Sequence, residues 1–511
     1  MVGHHSDPSG PDLALGITLA DLPDDGKLVG HRDGEAVLLV RRGAEIFAVA
    51  AACSHYGGPL IDGRVGDDGI RCPWHHACFD LRTGEALRAP ALSSLACWSV
   101  ERRGDRIFVG EKRQKPSPAP DDVGKAGVSP QRIVIVGGGA AGFAAAERLR
   151  RVRFQGAIVM ISDDEAAPVD RPNLSKDYLA GKAPEDWIPL RKEGFYARNG
   201  IDLRLATKVA SIDIRTKEVV LADETRIAFD KLLLATGAEP VRLTIPGADQ
   251  PHVHTLRSLA DCRTIIAQTR SARHAVVLGA SFIGLEVAAA LRARGVDVHV
   301  VAPEERPMER VLGPKMGDFI RALHEENGVV FHLGDAAASI GQSEILLRSG
   351  RTLAAELIVA GIGVRPRIDL AEAAGLATDR GVVVDAYLET SVPGIYAAGD
   401  IARWPDPHTG ESIRVEHWVV AQRQGAAAAL NMIGRRKKFT DVPFFWSQHY
   451  DVPINYVGHA ERWDAIEVEG DIAAKDCLLR FNRGGGVLAV ATIFRDADSL
   501  QAELAMEKSS A

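Results

Sequence analysis

The pattern of apolar and polar positions divides the chain into a β-rich beginning, an α/β middle and a β-rich end. Short alternating or apolar runs between Gly and Asp predict early strands at 36–41, 46–50, 98–101 and 106–109. Similar runs predict late strands at 454–458, 465–469, 477–481 and 486–491, and the polar tail after Asp496 is helical in pattern. The chain is therefore predicted to begin with a small antiparallel β domain and to end with a small α+β domain.

The middle of the chain opens with an apolar strand, a glycine turn and an Ala-rich helix over 131–149. Gly137 permits a tight turn, Gly139 lets a pyrophosphate approach the backbone, and Gly142 lets the helix pack on the strand. Asp163 and Asp164 follow the next predicted strand, 157–161, where an acid can hold a ribose. This context predicts a dinucleotide site rather than an ordinary tight turn.

A second unit of the same kind begins at residue 275. Gly279 and Gly284 hold the first and last positions of the motif, and Ser281 replaces the middle glycine. Two such units predict two dinucleotides, FAD at the first and a nicotinamide at the second. The apolar stretch 275–291 contains Glu286 and glycines, so it is predicted to be a buried strand, turn and helix rather than a membrane span.

Composition narrows the class of protein. The chain has 511 residues, enough for three or four domains, and its net charge of −7 argues against nucleic acid as the main partner. No signal peptide or membrane span is predicted, so the expected location is the cytoplasm. Cys78, Cys97, Cys262 and Cys477 are scattered and are predicted to be buried small side chains. The oligomeric state stays open.

Two short segments near the start carry paired thiols and imidazoles. Cys53 and His55 form one pair, and Cys72 and His75 form the other after sixteen intervening residues. Two Cys and two His are the ligand set of a [2Fe–2S] cluster in which Cys holds one iron and His the other. A zinc site with the same four ligands is the alternative, and the CxH spacing is rare for zinc.

The segments around these ligands resemble Rieske-type ferredoxin domains over residues 13–112, since the CPWH, FD and TG pieces fall in register. His76 stands where a glycine is usual and is expected to be a neighbour that tunes exposure of the cluster. Gly58 and Trp74 stand where high-potential members carry a disulfide. The resemblance therefore implies a potential toward the lower end of about −150 to +300 mV.

The rest, residues 131 to about 460, resembles flavoprotein ferredoxin reductases that serve oxygenases and cytochromes P450. It resembles still more closely the apoptosis-inducing-factor-like proteins that place a Rieske domain ahead of such a reductase. The motifs that carry this resemblance are D170-R-P-N-L-S-K176, L234-A-T-G237, G361-I-G-V-R-P366, G394-I-Y-A-A-G-D400, V415-E-H-W418 and F445-W-S.

The resemblance implies roles for single residues. Arg171 and Lys176 lie along the flavin, Lys176 near N5, and Glu286 pairs with Lys176. Asp400 holds the ribityl chain, while Trp418 and Trp446 pack near the flavin ring. The catalytic residues are predicted to be Lys176, Glu286 and Trp418, and the motifs add further cofactor-binding residues: Thr236, Gly237, Gly399 and Glu416.

These observations predict the domain order. A Rieske domain spans 1–112, and a linker rich in Pro, Gly and charge spans 113–130. The FAD-binding domain has two parts, 131–246 and 365–436, around an NAD(P)-binding domain at 247–364. By analogy with the family, 437–511 is an interface domain.

The choice of nicotinamide depends on the end of the strand 298–301. Ala302 takes the position where an acid usually meets the ribose 2′-hydroxyl, but Glu304 and Glu305 follow at once. Arg306 is the alternative partner for a 2′-phosphate. Because two acids repel a phosphate, NADH is expected and NADPH remains possible.

The predicted function is an NAD(P)H-dependent FAD oxidoreductase that passes electrons to its own cluster and on to a protein acceptor. That acceptor is an oxygenase, a cytochrome P450 or a ferredoxin, with no role for nucleic acid or membrane. A redox-sensing or signalling flavoprotein with incidental NADH oxidation is the alternative. A flavin disulfide reductase is disfavoured, since the chain has no CxxC and no Cys between Cys97 and Cys262.

Overall fold

The structure, a computed structural model, describes residues 10–114 and 130–509. Residues 115–129 of the predicted linker lie outside the described residues. The described residues fall into two compact units. Residues 10–114 form the first unit together with Arg495–Ala505, and residues 130–494 together with 506–509 form the second. From the sequence, residues 495–505 are predicted to belong to the C-terminal domain, whereas their contacts group them with the first unit.

The first unit is built from two antiparallel sheets. The six-stranded sheet has the spatial order Ile17–Thr18, Arg106–Lys112, Cys97–Arg103, Glu45–Ala50, Glu35–Arg42 and Lys27–Arg32. The four-stranded sheet has the order Arg64–Gly66, Gly69–Arg71, Cys78–Phe79 and Ala86–Arg88. The predicted antiparallel β domain is confirmed, because all four early strands are present with slightly wider bounds.

The second unit contains two parallel five-stranded sheets. The first has the order Ile201–Arg204, Ala157–Ile161, Arg132–Val136, Lys231–Leu234 and Ile395–Ala397. The second has the order Val253–His254, Leu357–Ala360, His274–Leu278, Asp297–Ala302 and Val329–Leu333. Their central strands, Arg132–Val136 and His274–Leu278, are apolar after the first residue because helices cover both faces of a parallel sheet.

Each glycine turn joins a central strand to a helix. Arg132–Val136 leads into the helix Ala140–Arg151, and His274–Leu278 leads into the helix Phe282–Ala293. The helix Trp418–Met432 packs closely on Ala140–Arg151, because a side chain at its Gly425 would come 2.1 Å from the backbone oxygen of Ala141. The remaining α-helices are Arg171–Leu174, Phe195–Arg198, Leu259–Gln268, Glu309–Leu312, Pro314–Glu326, Asp369–Ala373 and Asp496–Ser509.

The end of the second unit is a five-stranded antiparallel sheet. Its order is Phe444–His449, Val452–Gly458, Gly486–Ile493, Asp476–Arg483 and Ala465–Asp471. The four predicted late strands are all present in it. Smaller sheets comprise Val209–Asp213, Glu218–Leu221 and Arg226–Ala228; Ala337–Ile340, Glu344–Leu347 and Thr352–Ala354; Val382–Val383, Ala402–Pro405 and Ser412–Ile413; and Ala238–Pro240 with Val364–Pro366. Among the described residues, no helix has both the length and the apolar character needed to cross a bilayer.

Candidate functional site

Two loops of the first unit have the same backbone conformation. The N–H of Cys53 donates to the oxygen of Gly58 at 2.8 Å, and the N–H of Cys72 donates to the oxygen of Ala77 at 2.8 Å. Each loop therefore starts at a cysteine and closes five residues later. The matching closure places the two cysteines at equivalent positions.

The fifth residue of each loop, counting the cysteine as the first, has a left-handed backbone. Gly57 has φ +79° and His76 has φ +59°. Their N–H groups donate back to the oxygens of Cys53 and Cys72, at 2.9 and 3.2 Å. Glycine adopts this conformation without strain, whereas histidine does so at a cost. This explains why a glycine is usual where His76 stands.

The strained His76 is held by a residue far along the chain. Its Nδ1 lies 2.6 Å from Glu503 Oε2, and both side chains are fully buried. Glu503 also faces Arg71 at 4.0 Å and Arg88 at 3.7 Å, and Ser499 Oγ lies 3.4 Å from His76 Nε2. The last helix thus holds the second loop in place.

The four predicted metal ligands come together between the loops. His55 Nδ1 and His75 Nδ1 lie 3.2 Å apart. A hydrogen bond between the two thiols raises the pKa of Cys53 and lowers that of Cys72. Burial lowers the pKa of His55 to about 3, so its imidazole is neutral and its lone pair can bind a metal.

This donor set fits a two-iron cluster. The thiols form one adjacent pair and the imidazole nitrogens form another, as needed when each iron takes two protein ligands. A side chain at Gly58 would come 2.8 Å from Cys72 Sγ, so the loop leaves no room there for a cysteine. All six cysteines are free. Within the described part of the chain, no group of three His, Cys, Asp or Glu side chains is placed so that it could hold a single metal ion.

The second unit contains a cavity of about 1840 Å³ between its sheets. Most of the predicted cofactor residues line it: Gly137, Gly139, Asp163, Asp164, Arg171, Lys176, Thr236, Gly237, Glu286, Gly399, Asp400, Glu416, Trp418 and Trp446. Gly142, Gly279, Gly284 and Glu304 do not line it.

The first glycine turn shows why these positions must be glycine. Gly137 has φ +119°, and a Cβ there would lie 2.0 Å from the oxygen of Ala235. A Cβ at Gly142 would lie 1.9 Å from the oxygen of Gly137, whereas the nearest atom to one at Gly139 is 3.7 Å away. Gly142 thus serves packing, and the open side of Gly139 faces the cavity, where a pyrophosphate fits.

The second turn repeats this arrangement. A Cβ at Gly279 would lie 2.4 Å from the oxygen of Gly361, and one at Gly284 would lie 2.4 Å from the oxygen of Gly279. Ser281 Oγ donates to Gly361 at 3.0 Å, and Ser281 lines the cavity. The serine is accommodated because its hydroxyl bonds to the neighbouring strand end.

Glu286 is the most enclosed charged group at the cavity, with 4% of its side chain exposed. Its Oε2 accepts hydrogen bonds from Lys176 Nζ at 2.8 Å and Ser175 Oγ at 2.5 Å. Its Oε1 accepts one from Ser447 Oγ at 2.5 Å. The structure thus shows the Lys176–Glu286 pairing that the resemblance implied. It adds Ser447, the last residue of the F445-W-S motif, to this group.

Other predicted residues bind partners at the cavity wall. Arg257 Nη2 donates to Asp400 Oδ2 at 2.8 Å, and Arg171 Nη2 donates to Asp164 Oδ2 at 2.9 Å. Asp163 pairs with Arg367 at 2.8 Å. The sequence did not predict that Arg257 lies at this site, since no motif includes Arg257 and its partner is 143 residues away along the chain.

The aromatic residues approach from two elements. Trp418 begins the helix Trp418–Met432, and Trp446 lies on the strand Phe444–His449. Phe445, which also lines the cavity, meets Phe282 edge-on with ring centroids 4.9 Å apart. These side chains give the cavity an apolar wall, as a planar ring system needs.

Glu304 stays outside this cavity and remains a prediction for the ribose. Arg306, the alternative partner for a 2′-phosphate, is already engaged by Asp318 at 2.8 Å and Glu309 at 3.4 Å. A guanidinium shared by two carboxylates is less available to a phosphate.

Comparison with known proteins agrees with this geometry. Residues 131–425 match the family described as pyridine nucleotide-disulphide oxidoreductase, and residues 17–99 match the Rieske [2Fe-2S] domain. The chain belongs to the pyridine nucleotide-disulphide oxidoreductase family and carries a Rieske domain. Its cofactors are FAD, a [2Fe–2S] cluster and NADH, and it is an NAD(P)H oxidoreductase.

Individual relatives show how far the likeness extends. Apoptosis-inducing factor 3 of Homo sapiens is 33% identical over 90% of this chain and 78% of its own length. Rhodocoxin reductase of Rhodococcus erythropolis is 36% identical over 72% of this chain and 88% of its own. A crystal structure of the covalent putidaredoxin reductase–putidaredoxin complex matches with TM-score 0.72 at 33% identity, covering 75% of this chain and 94% of that one. The first of these relatives extends over both units.

Proposed function

We propose that this oxidoreductase takes electrons from NADH at the cavity of the second unit and passes them through its own Rieske cluster to a protein acceptor. The carrying observation is that one chain holds both a Cys₂His₂ donor set and a dinucleotide cavity with a buried Lys176–Glu286 pair. FAD, when bound, accepts a hydride and releases electrons singly, which joins a two-electron donor to a one-electron cluster.

The residues of the chain supply position and charge. Gly139 leaves room for the pyrophosphate, and the ammonium of Lys176 favours negative charge at the ring system beside it. Glu286 holds that ammonium in one place through the 2.8 Å bond. No side chain has to take up a proton for hydride transfer itself, so the protein contributes chiefly by orientation.

The family supports a redox protein as partner, and we propose an oxygenase, a cytochrome P450 or a separate ferredoxin. In support, one relative is named as the ferredoxin–NAD(+) reductase component of an anthranilate 1,2-dioxygenase system, and the solved complex joins putidaredoxin reductase to putidaredoxin. We place the reaction in the cytoplasm, because the four cysteines outside the cluster form no disulfide, which fits a reducing compartment.

Anaerobic stopped-flow mixing with NADH tests this proposal when flavin and cluster absorbance are followed together. We expect flavin reduction first and cluster reduction after it. In Cys53→Ser the flavin step should keep its rate while the cluster signal disappears. If the flavin step also collapsed, the two centres would not be separable as proposed. A long-lived NADH complex with negligible turnover of ferricyanide would instead favour the redox-sensing alternative.

The choice of nicotinamide has its own test. Because Arg306 is engaged by two carboxylates and Glu304 lies nearby, kcat/KM should be higher for NADH than for NADPH. Arg306→Ala should leave this preference unchanged. A strong preference for NADPH would contradict the assignment.

A further inference from the structure

A chain of buried hydrogen bonds leads away from the Lys176–Glu286 pair into the protein. Ser447 Oγ bonds to Glu286 and lies 3.1 Å from His449 Nε2. Beyond it, His449 Nδ1 lies 3.2 Å from His324 Nε2, and His324 Nδ1 lies 3.3 Å from the hydroxyl of Tyr450. We call these groups the buried relay, with members Glu286, Ser447, His449, His324 and Tyr450.

The middle of the buried relay is closed to solvent, whereas its two ends lie at the cavity and at a half-buried residue. Ser447 is 1% exposed, and His449 and His324 are fully buried. Glu286 lines the cavity, whereas Tyr450 is only half-buried. Ser447 and His449 reach the same side because they are two residues apart on one strand. His324 comes from the separate helix Pro314–Glu326, so three elements converge on the relay.

The carboxylate fixes the direction of every bond. As a carboxylate, Glu286 only accepts, so the Ser447 hydroxyl must donate to it. Ser447 then accepts from His449 Nε2–H, His449 Nδ1 accepts from His324 Nε2–H, and His324 Nδ1 accepts from Tyr450. Burial lowers the pKa of His449 to about 3 and that of His324 well below its usual value. Both rings are therefore neutral, and each has one donor and one acceptor nitrogen.

The proposed function moves both a proton and negative charge at the cavity. Oxidation of one NADH gives NAD⁺, one proton and two electrons, and two one-electron acceptors remove only the electrons. The proton that travelled with the hydride is released at the cavity. A hydride received by a bound flavin adds negative charge beside Lys176, and a proton brought along the relay to Glu286, at the cavity wall, offsets that charge.

We propose that the buried relay exchanges protons between the Lys176–Glu286 pair and the half-buried Tyr450 during flavin turnover, an inference that rests on the proposed function. No covalent bond other than O–H and N–H bonds changes. Because the hydrogen bonds point from Tyr450 toward Glu286, the first proton moves inward to Glu286 and leaves both imidazoles in the opposite tautomer. On reoxidation one proton moves back outward and restores both tautomers, so the relay carries no net proton and the proton that came with the hydride leaves by the cavity. Ser447, His449 and His324 are positioning and relay residues, since they touch Glu286 or one another rather than the substrate.

Tyr450→Phe tests the relay with the smallest change, because it removes one hydroxyl and keeps the ring. The control is Tyr396→Phe, the same change at a buried tyrosine whose hydroxyl bonds to Asn431 outside the cavity. The holoenzyme is reduced with NADH and reoxidised with ferricyanide in light and heavy water. A pH-indicator dye in weakly buffered solution follows proton uptake and return.

We expect NADH to reduce the flavin at the wild-type rate in both variants. In Tyr450→Phe, proton uptake on reduction and its return on reoxidation should each slow at least about tenfold, with a changed solvent isotope effect. Ser447→Ala should do the same, and Tyr396→Phe should behave as wild type. Unchanged proton uptake and return in both relay variants would overturn the relay, whereas failure of NADH to reduce wild-type flavin would overturn the proposed function instead.

A readout without turnover completes the test. Protein labelled at histidine nitrogens, in the oxidised state, should show His324 and His449 as neutral Nε2–H tautomers in a heteronuclear NMR correlation. Signals are assigned with His324→Gln and His449→Gln. Tyr450→Phe should shift the His324 signal. A protonated ring or an Nδ1–H tautomer at either position would contradict the bond directions on which the relay depends.

Discussion

Each unit buries a glutamate, Glu503 in the first and Glu286 in the second, but surrounds it with different partners. Glu503 is fully buried and faces the guanidinium groups of Arg71 and Arg88 and the imidazole of His76, so basic side chains surround it. Glu286 is 4% exposed and accepts bonds from two hydroxyls and one ammonium beside a cavity. The Glu503 carboxylate connects residues that are distant in sequence. The Glu286 carboxylate lies at the cavity and at the start of the buried relay.

The difference lies in what each partner can do. The arginines cannot give up a proton in a protein, so Glu503 is held by fixed charges. The serine hydroxyls at Glu286 can both donate and accept, and one of them continues to His449. A buried carboxylate beside arginines stabilises the packing of distant parts of the chain. A buried carboxylate that is hydrogen-bonded to hydroxyls can take part in proton exchange.

The largest effect that this comparison predicts is on the stability of the first unit. Glu503→Ala leaves Arg71 and Arg88 beside a buried gap, which should destabilise that unit by about 3–5 kcal/mol. Thermal unfolding followed by cluster absorbance should show the loss, while NADH still reduces the flavin. Gln501→Ala, an exposed position on the same helix, is the control. An unchanged unfolding temperature in Glu503→Ala would show that this residue of the last helix does not stabilise the first unit.

Acid should weaken the second unit through its buried imidazoles. Burial lowers the pKa of His417 and His449 to about 3, from 6.5. Between these values the unfolded chain binds more protons, so stability is complete above about pH 6.5 and falls as pH decreases. The slope should reach about 1.4 kcal/mol per pH unit for each ring. Urea unfolding at several pH values measures it, and His417→Gln should remove one proton from the slope.

Removing the ammonium of Lys176 tests the role of the Lys176–Glu286 pair at the cavity. Lys176→Gln keeps most of the side-chain length but loses the charge beside Glu286. The rate of flavin reduction by NADH should fall about 100-fold, because a placed electrostatic donor is worth that much. Stopped-flow measurement at saturating NADH checks this, and Lys208→Gln, another lysine lining the cavity, should change the rate far less. An equal loss in both variants would mean that the general charge of the cavity matters rather than the pair.

The smallest effect is the coupling between His76 and Glu503. His76→Gly relieves the backbone strain at φ +59° but removes one partner of Glu503. A double-mutant cycle with Glu503→Ala should give a coupling of about 0.5–3 kcal/mol in thermal or urea unfolding. A coupling near zero would show that the 2.6 Å approach does not stabilise the loop.

The sequence predicted features that depend on neighbours along the chain. Gly137 and Gly142 stand in one turn, and Cys72 and His75 stand in one loop, so spacing alone identified them. The same holds for the early and late strands, whose patterns are local. These elements account for the fold class and for most residues that line the cavity.

The sequence could not show contacts made across long separations. Ser447 and Glu286 are 161 residues apart, Ser499 and His76 are 423 apart, and Arg257 and Asp400 are 143 apart. No periodicity connects such residues, since their meeting depends on how whole elements pack. The helical tail was predicted, but its grouping with the first unit was not.

The central claim is that electrons from NADH reach the Rieske cluster only through FAD. The most direct measurement is EPR of the anaerobic protein frozen after NADH is added, with the FAD-stripped protein as control. The account predicts the signal of a reduced [2Fe–2S] cluster in the holoprotein, no signal without FAD, and recovery when FAD is restored. A cluster that stays oxidised in the holoprotein, or one that is reduced equally without FAD, would contradict it.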